Sequence, residues 1–220
     1  MRVTTGLARG RTLVAPQGMD TRPSSDMTKQ AVFNIIQNYV EGCTFLDLFA
    51  GSGQMGIEAL SRGAKHAVFV DAASKAVEAV RANLKHCKLS DQAKIAQMDA
   101  ASFLKSTTTR FDIVFLDPPY QQKIIDAVLP MVVGQMAPQG IILCETERNE
   151  QLPESAGDYE IAKTYFYGKA KITAYRRKEG QEEEEGGNDR KGSRWCPAAL
   201  TQSPKGTWTS SAAHRRCLTR

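Results

Sequence analysis

The chain has 220 residues, 41% of them apolar, and a formal net charge of +5. That is enough to bury one good core plus appendages, so a single catalytic domain is expected. No run of 18 apolar residues occurs and Met1-Arg2-Val3-Thr4-Thr5 opens no signal-peptide hydrophobic region, which argues against a membrane-spanning or exported protein and makes the cytoplasm the expected compartment.

The first 30 residues carry five basic groups (Arg2, Arg9, Arg11, Arg22, Lys29) against Asp20 and Asp26. A local excess of this kind suits phosphate contacts or simply solubility. Val3 to Thr5 and Arg11 to Val14 flank Gly6 and Gly10, the pattern of a small hairpin. Pro23-Ser24-Ser25-Asp26 then leads into a helix over Met27 to Tyr39, with Ala31, Ile35 and Tyr39 at four-residue spacing and Asp26 or Ser25 as its cap.

Short apolar runs follow at Thr44 to Phe49, Ala67 to Val70, Lys94 to Met98, Phe111 to Leu116 and Gly140 to Glu145. They alternate with helical segments, explicitly Gln54 to Arg62, Ser74 to Cys87 and Gln122 to Met136, with Pro138 and Gly140 ending the last. This alternation predicts a parallel sheet covered on both faces. Tyr159 to Phe166 and Lys169 to Arg176, joined by Tyr167-Gly168, read as a closing antiparallel hairpin. From Glu179 onward an acidic run and a stretch rich in Ser, Thr, Pro and Arg show no periodicity, so residues 179–220 are expected to be a disordered tail. The expected division is therefore a basic hairpin extension over 1–25, a catalytic domain over 26–178 and that tail.

Five cysteines, at 43, 87, 144, 196 and 217, form no CxxC pair, and the three histidines have no partner at metal-ligand spacing. Cys43, Cys87 and Cys144 read as reduced core residues, and no metal is expected.

Two motifs carry chemistry. The first strand runs into Asp47-Leu48-Phe49-Ala50-Gly51-Ser52-Gly53-Gln54-Met55-Gly56. Gly51, Gly53 and Gly56 give the GxGxxG spacing: a tight turn, close ligand approach and close helix-on-strand packing. Asp71, ending the second strand, can accept two hydrogen bonds from ribose hydroxyls, and Asp99, after the third, can meet an adenine amine. Asp47 would repel the pyrophosphate of NAD but attract the ammonium and sulfonium of S-adenosylmethionine. Asp47 capping the loop amides is compatible with either cofactor.

The second motif is Asp117-Pro118-Pro119-Tyr120, at the exposed end of the fourth strand. An acid and a stiffened backbone carbonyl can accept hydrogen bonds from an exocyclic NH2, and an aromatic ring can stack a base. The alternative reading is an ordinary strand-to-helix turn with a proline-fixed exit.

Asp47 to Gly53, Gly56-Ile57-Glu58-Ala59-Leu60-Ser61-Arg62-Gly63-Ala64 and Asp117 to Tyr120 resemble the RsmD-type family of 16S rRNA (guanine-N2)-methyltransferases. Gly6-Leu7-Ala8-Arg9-Gly10-Arg11 and Thr21-Arg22-Pro23 resemble that family's opening segment. The likeness spans roughly residues 1 to 178. It implies a class I, Rossmann-like S-adenosylmethionine-dependent fold, with a seven-stranded, mostly parallel sheet whose last strand is antiparallel. It also implies methyl transfer to the N2 amine of one guanine in small-subunit rRNA. In that frame Asp47, Phe49, Gly51, Ser52, Gly53, Asp71 and Asp99 hold the cofactor, and Asp117, Pro118, Pro119 and Tyr120 grip the base. Arg9, Arg11 and Arg22 are candidates for phosphate contacts. The expected partner is ribosomal RNA within a small subunit or its assembly intermediate, met by a monomer with no membrane association. An adenine-N6 methyltransferase shares both motifs; an NAD-dependent oxidoreductase shares only the glycine loop and Asp71. A non-catalytic RNA-binding module is the third rival.

Overall fold

The computed structural model describes residues 1–16, 26–119 and 123–178; the expectations for Arg22, Ser25, Tyr120 and the tail lie outside them. In chain order the elements are α1 Asp26–Ile35, β1 Thr44–Asp47, α2 Gln54–Ser61, β2 His66–Asp71, α3 Ser74–Cys87, β3 Ala93–Gln97, α4 Ala100–Ser106, β4 Phe111–Leu116, α5 Ile124–Val133, β5 Met136–Glu147, β6 Ser155–Ala156, β7 Tyr159–Tyr167 and β8 Ala170–Arg177. One sheet orders the strands β3-β2-β1-β4-β5-β8-β7-β6. The first five run parallel, and β8 lies antiparallel against β5. This is the expected Rossmann-like α/β architecture with its antiparallel last strand. The count reaches eight because the two-residue β6 pairs with β7 at the edge.

Strand alternation divides the core in two. Phe45, Phe69, Ile113, Phe115 and Leu143 face one side with Phe33, Ile57, Leu60, Val80 and Leu84 of the first three helices. Leu46, Val68, Val70, Val114, Leu116 and Ile142 face the other with Phe103, Leu104, Val128 and Leu129. Both faces of β1, β2 and β4 are buried, which is why they read as near-continuous apolar runs, whereas the edge strand β3 is partly exposed along its length. Cys43, Cys87 and Cys144 are free and buried, as expected. Among the described residues no helix is long and apolar enough to cross a membrane.

Several boundaries differ from the sequence reading. The helix begun at Asp26 ends at Ile35, not Tyr39, whose amide instead closes a turn onto Ile36 O. Helix α5 ends at Val133, and Pro138 and Gly140 lie inside β5 rather than terminating the helix. The reason is a bulge: Phe111 pairs with Met136 but Ile113 with Ile141, so the extra residues of β5 loop out there, a place where strands tolerate Pro and Gly. A Cβ on Gly140 would come within 2.5 Å of Met136 Cε and 3.1 Å of Phe111 O. Helix α4 was not singled out from sequence; it has seven residues, too few for a clear period, and is fixed by Asp99, whose Oδ1 accepts from Ser102 N at 2.9 Å.

The N-terminal hairpin forms as expected, with Val3 N bonded to Arg11 O and Gly10 N to Val3 O. Its docking onto α2 does not follow from local pattern. Glu58 is fully buried and accepts from Thr4 N, Thr4 Oγ1 and Thr5 N at 2.8, 2.6 and 3.1 Å. Arg62 Nε lies 2.8 Å and Lys29 Nζ 3.8 Å from its carboxylate. Ser61 Oγ adds bonds to Thr5 O and Ala8 N. Gly6, at φ +83°, lies so close to Ser61 O that a Cβ would sit 1.6 Å from it.

Candidate active site

The parallel register sets the site. Asp47 is level with Phe69 on β2 and Phe115 on β4, so Asp71 and Asp117, each two residues further on, continue the same pleat phase at the carboxyl ends of adjacent strands. Between β1 and β4 the strand order reverses, and open α/β sheets bind ligands at such a crevice.

Each glycine of the loop has a distinct task. Gly51 (φ +52°) and Gly53 (φ +75°) take the left-handed backbone that makes the turn. Gly56 sits in α2, where a Cβ would meet the Phe69 ring at 2.3 Å, so it sets how closely the helix packs on β2. A Cβ on Gly51 would meet nothing within 4 Å, so the space beside the turn at this residue is open.

The carboxylates hold this loop. Asp71 Oδ2 accepts from Gly51 N and its Oδ1 from Ala73 N, both at 2.9 Å. Asp47 is 2% exposed and accepts from Gly56 N at 3.1 Å, so the capping role is real. Burial pushes its carboxyl up from 3.8 to about 8, and the charges of Asp117 and Asp71 push the same way against the Gly56 amide. A carboxylate has about four acceptor sites, so one bond at Asp47 and two at Asp71 leave both with capacity for a ligand. The buried side-chain oxygen of Gln54, the first residue of α2, has no hydrogen-bond partner among the described residues. A set made of carboxylates and an orphaned acceptor fits a ligand carrying cations and hydroxyls, and it opposes a pyrophosphate.

The remaining expected residues are more dispersed. Ser52 is buried, its hydroxyl 3.5 Å from Met1 Sδ, and Phe49 is half-buried. Asp99 is exposed, caps α4, and is held below the usual carboxylate range by its bonds to Ser102. Asp117 is half-buried, Pro118 buried and Pro119 exposed. Arg9 is exposed, while the Arg11 guanidinium donates to His86 O near the end of α3.

Sequence reasoning missed Asn83, 1% exposed on α3. Its Oδ1 accepts from Val14 N, and its Nδ2 donates to Val14 O at 2.9 Å and Ser52 O at 2.8 Å. One side chain thus ties the N-terminal segment to the glycine loop. A lone amide among Ala79, Val80, Leu84 and Cys87 on a buried face was the available signal.

The family described as Conserved hypothetical protein 95 matches residues 1–176. The Bacillus subtilis protein with the description "Putative rRNA methyltransferase YlbH" is 39% identical over 183 residues, covering 81% of this chain and all of that protein. Ribosomal RNA small subunit methyltransferase D of Haemophilus influenzae is 34% identical over 157 residues, covering 69% of this chain and 81% of its own length. A solved structure of a conserved hypothetical protein from Streptococcus pyogenes superposes with a TM-score of 0.64 at 36% identity, covering 68% and 95% of the two chains.

Proposed function

The chain belongs to the family described as Conserved hypothetical protein 95, the RsmD family, and on that premise we propose that it is an rRNA methyltransferase that moves a methyl group from S-adenosylmethionine to the N2 amine of a guanine in small-subunit rRNA. The observation that carries this reading is the convergence of Asp47, Asp71 and Asp117 at the carboxyl ends of neighbouring strands, beside an open glycine loop. The names of the relatives support the ribosomal RNA substrate.

S-adenosylmethionine, when bound, supplies an electrophilic methyl on a sulfonium. Asp47 and the Gly51 to Gly53 turn would hold the charged methionine end, Asp71 would accept from the ribose, and Asp99 would face the adenine. An aryl-type amine is a poor nucleophile because its lone pair is delocalised into the ring. Asp117 and the Pro118 carbonyl accept its two N–H bonds, which raises electron density on nitrogen and aims the lone pair. Tyr120 stacks the flipped base, worth about 1–3 kcal/mol against the few that unstacking costs. In the transfer the nitrogen–methyl bond would form as the sulfonium–methyl bond breaks, the neutral thioether leaving and one amine proton passing to the Asp117 carboxylate, and holding the reactants in line would provide most of the acceleration.

The test incubates the protein with methyl-labelled S-adenosylmethionine and small ribosomal subunits from a strain lacking the activity, then digests the RNA to nucleosides. Label in N2-methylguanosine is the expected result. Label in N6-methyladenosine would move the assignment to the adenine class, and absence of transfer would overturn it.

A further inference from the structure

We infer that the tip of the β7–β8 hairpin, centred on Arg148, Phe166 and Lys169, is a docking platform for a single-stranded stretch of RNA beside the target nucleotide; this deepens the function proposed above and rests on it. Its position follows from register. Leu116 on β4 is level with Cys144 on β5, and Cys144 with Thr173 on β8. Glu147 is level with Ala170, where the hairpin has yet to turn. The turn at Gly168 therefore projects beyond the carboxyl edge that carries Asp117, across β5 from it.

The cations free to meet a ligand stand at and near the tip: Arg148, Lys163 and Lys169 are exposed, whereas at the far end of β8 Arg177 is paired with Asp158 at 2.8 Å, and Lys171 is buried and donates to Glu150 O. Exposed cations grouped in this way attract a polyanion.

Its tip also offers a ring. Tyr165 and Tyr167 pack against the core beneath, whereas Phe166 is 53% exposed. An isolated exposed Phe is ordinary, but this one is held: the Arg148 guanidinium lies 4.9 Å over its centroid and also donates to Gly168 O at 3.3 Å. Arg148 and Lys169 are exposed beside it. A fixed ring with a guanidinium on it, flanked by exposed cations, is the arrangement on which unstacked bases lie while the cations take phosphates. Duplex RNA buries its base faces, so the occupant is single-stranded.

The full-length protein decides this by filter binding to labelled small-subunit rRNA across a salt series. Phe166→Ala should weaken binding about 10-fold, and Phe166→Trp should restore it. Arg148→Ala with Lys169→Ala should make the slope of log affinity against log salt shallower by about 1.4, at about 0.7 per phosphate contact. Thermal unfolding and S-adenosylmethionine affinity should match the parent. If Phe166→Ala unfolds, the double variant decides alone. RNA affinity and slope unchanged in the folded variants would overturn the platform. A parent that binds RNA through this hairpin yet transfers no methyl would refute the activity and leave the platform standing.

Discussion

Glu58 and Asp47 are both buried carboxyls on the same side of the sheet, and the protein treats them in opposite ways. Glu58 has a guanidinium at 2.8 Å, an ammonium at 3.8 Å and three further donors from Thr4 and Thr5. Asp47 has one backbone amide and two neighbouring carboxylates. A buried charge with full compensation is a fastener, here joining the N-terminal hairpin to α2. One left with an acidic surround gains most from a positively charged ligand.

That contrast can be broken at either end. Glu58→Ala leaves Lys29 buried with its carboxylate gone and should cost about 3–5 kcal/mol, read as a large drop in the urea midpoint; a midpoint within error of the parent would mean that the hairpin is held by other contacts. Asp47→Asn keeps an acceptor for Gly56 N but removes the charge. It should weaken S-adenosylmethionine binding by roughly 1.5–3 kcal/mol, the worth of a hydrogen bond to a charged group.

The same variant should be more stable than the parent without ligand in alkaline solution. The sign follows from the raised value: the native state holds the Asp47 proton more tightly than the unfolded chain, so its contribution is fully present below 3.8 and is lost as pH rises through about 8. In the parent, cofactor affinity should climb with pH up to about 8 and then level off. Calorimetry showing affinity flat from pH 6 to 9 would contradict an under-compensated Asp47. The smallest effect is expected from truncation after Lys178, since the family match ends at residue 176: transfer should stay within about twofold, and a large loss would give the tail a role.

What could be read from the sequence was what local pattern encodes. The Gly51-x-Gly53-x-x-Gly56 loop, the strand ending in Asp117 and the hairpin turning at Gly168 each follow from residues adjacent in the chain, and each stands in the structure. Contacts between distant segments were hidden. Thr4 and Glu58 are 54 residues apart, and Asn83 reaches Val14 across 69; no periodicity announces either. The β5 bulge was misread because Pro138 and Gly140 are stop signals in a helix and tolerated guests in a bulged strand, and only the pairing with Phe111 separates the two.

The central claim is that the carboxylate at position 117 acts on the target amine and not on the cofactor. Single-turnover methyl transfer to small ribosomal subunits, measured for Asp117→Ala with S-adenosylmethionine saturating, addresses it directly. The expected result is transfer slowed about 10-fold or more, equivalent to roughly 1.5–3 kcal/mol, with cofactor affinity within about twofold of the parent. Transfer at the parent's rate, or a loss traced wholly to cofactor affinity, would contradict the account.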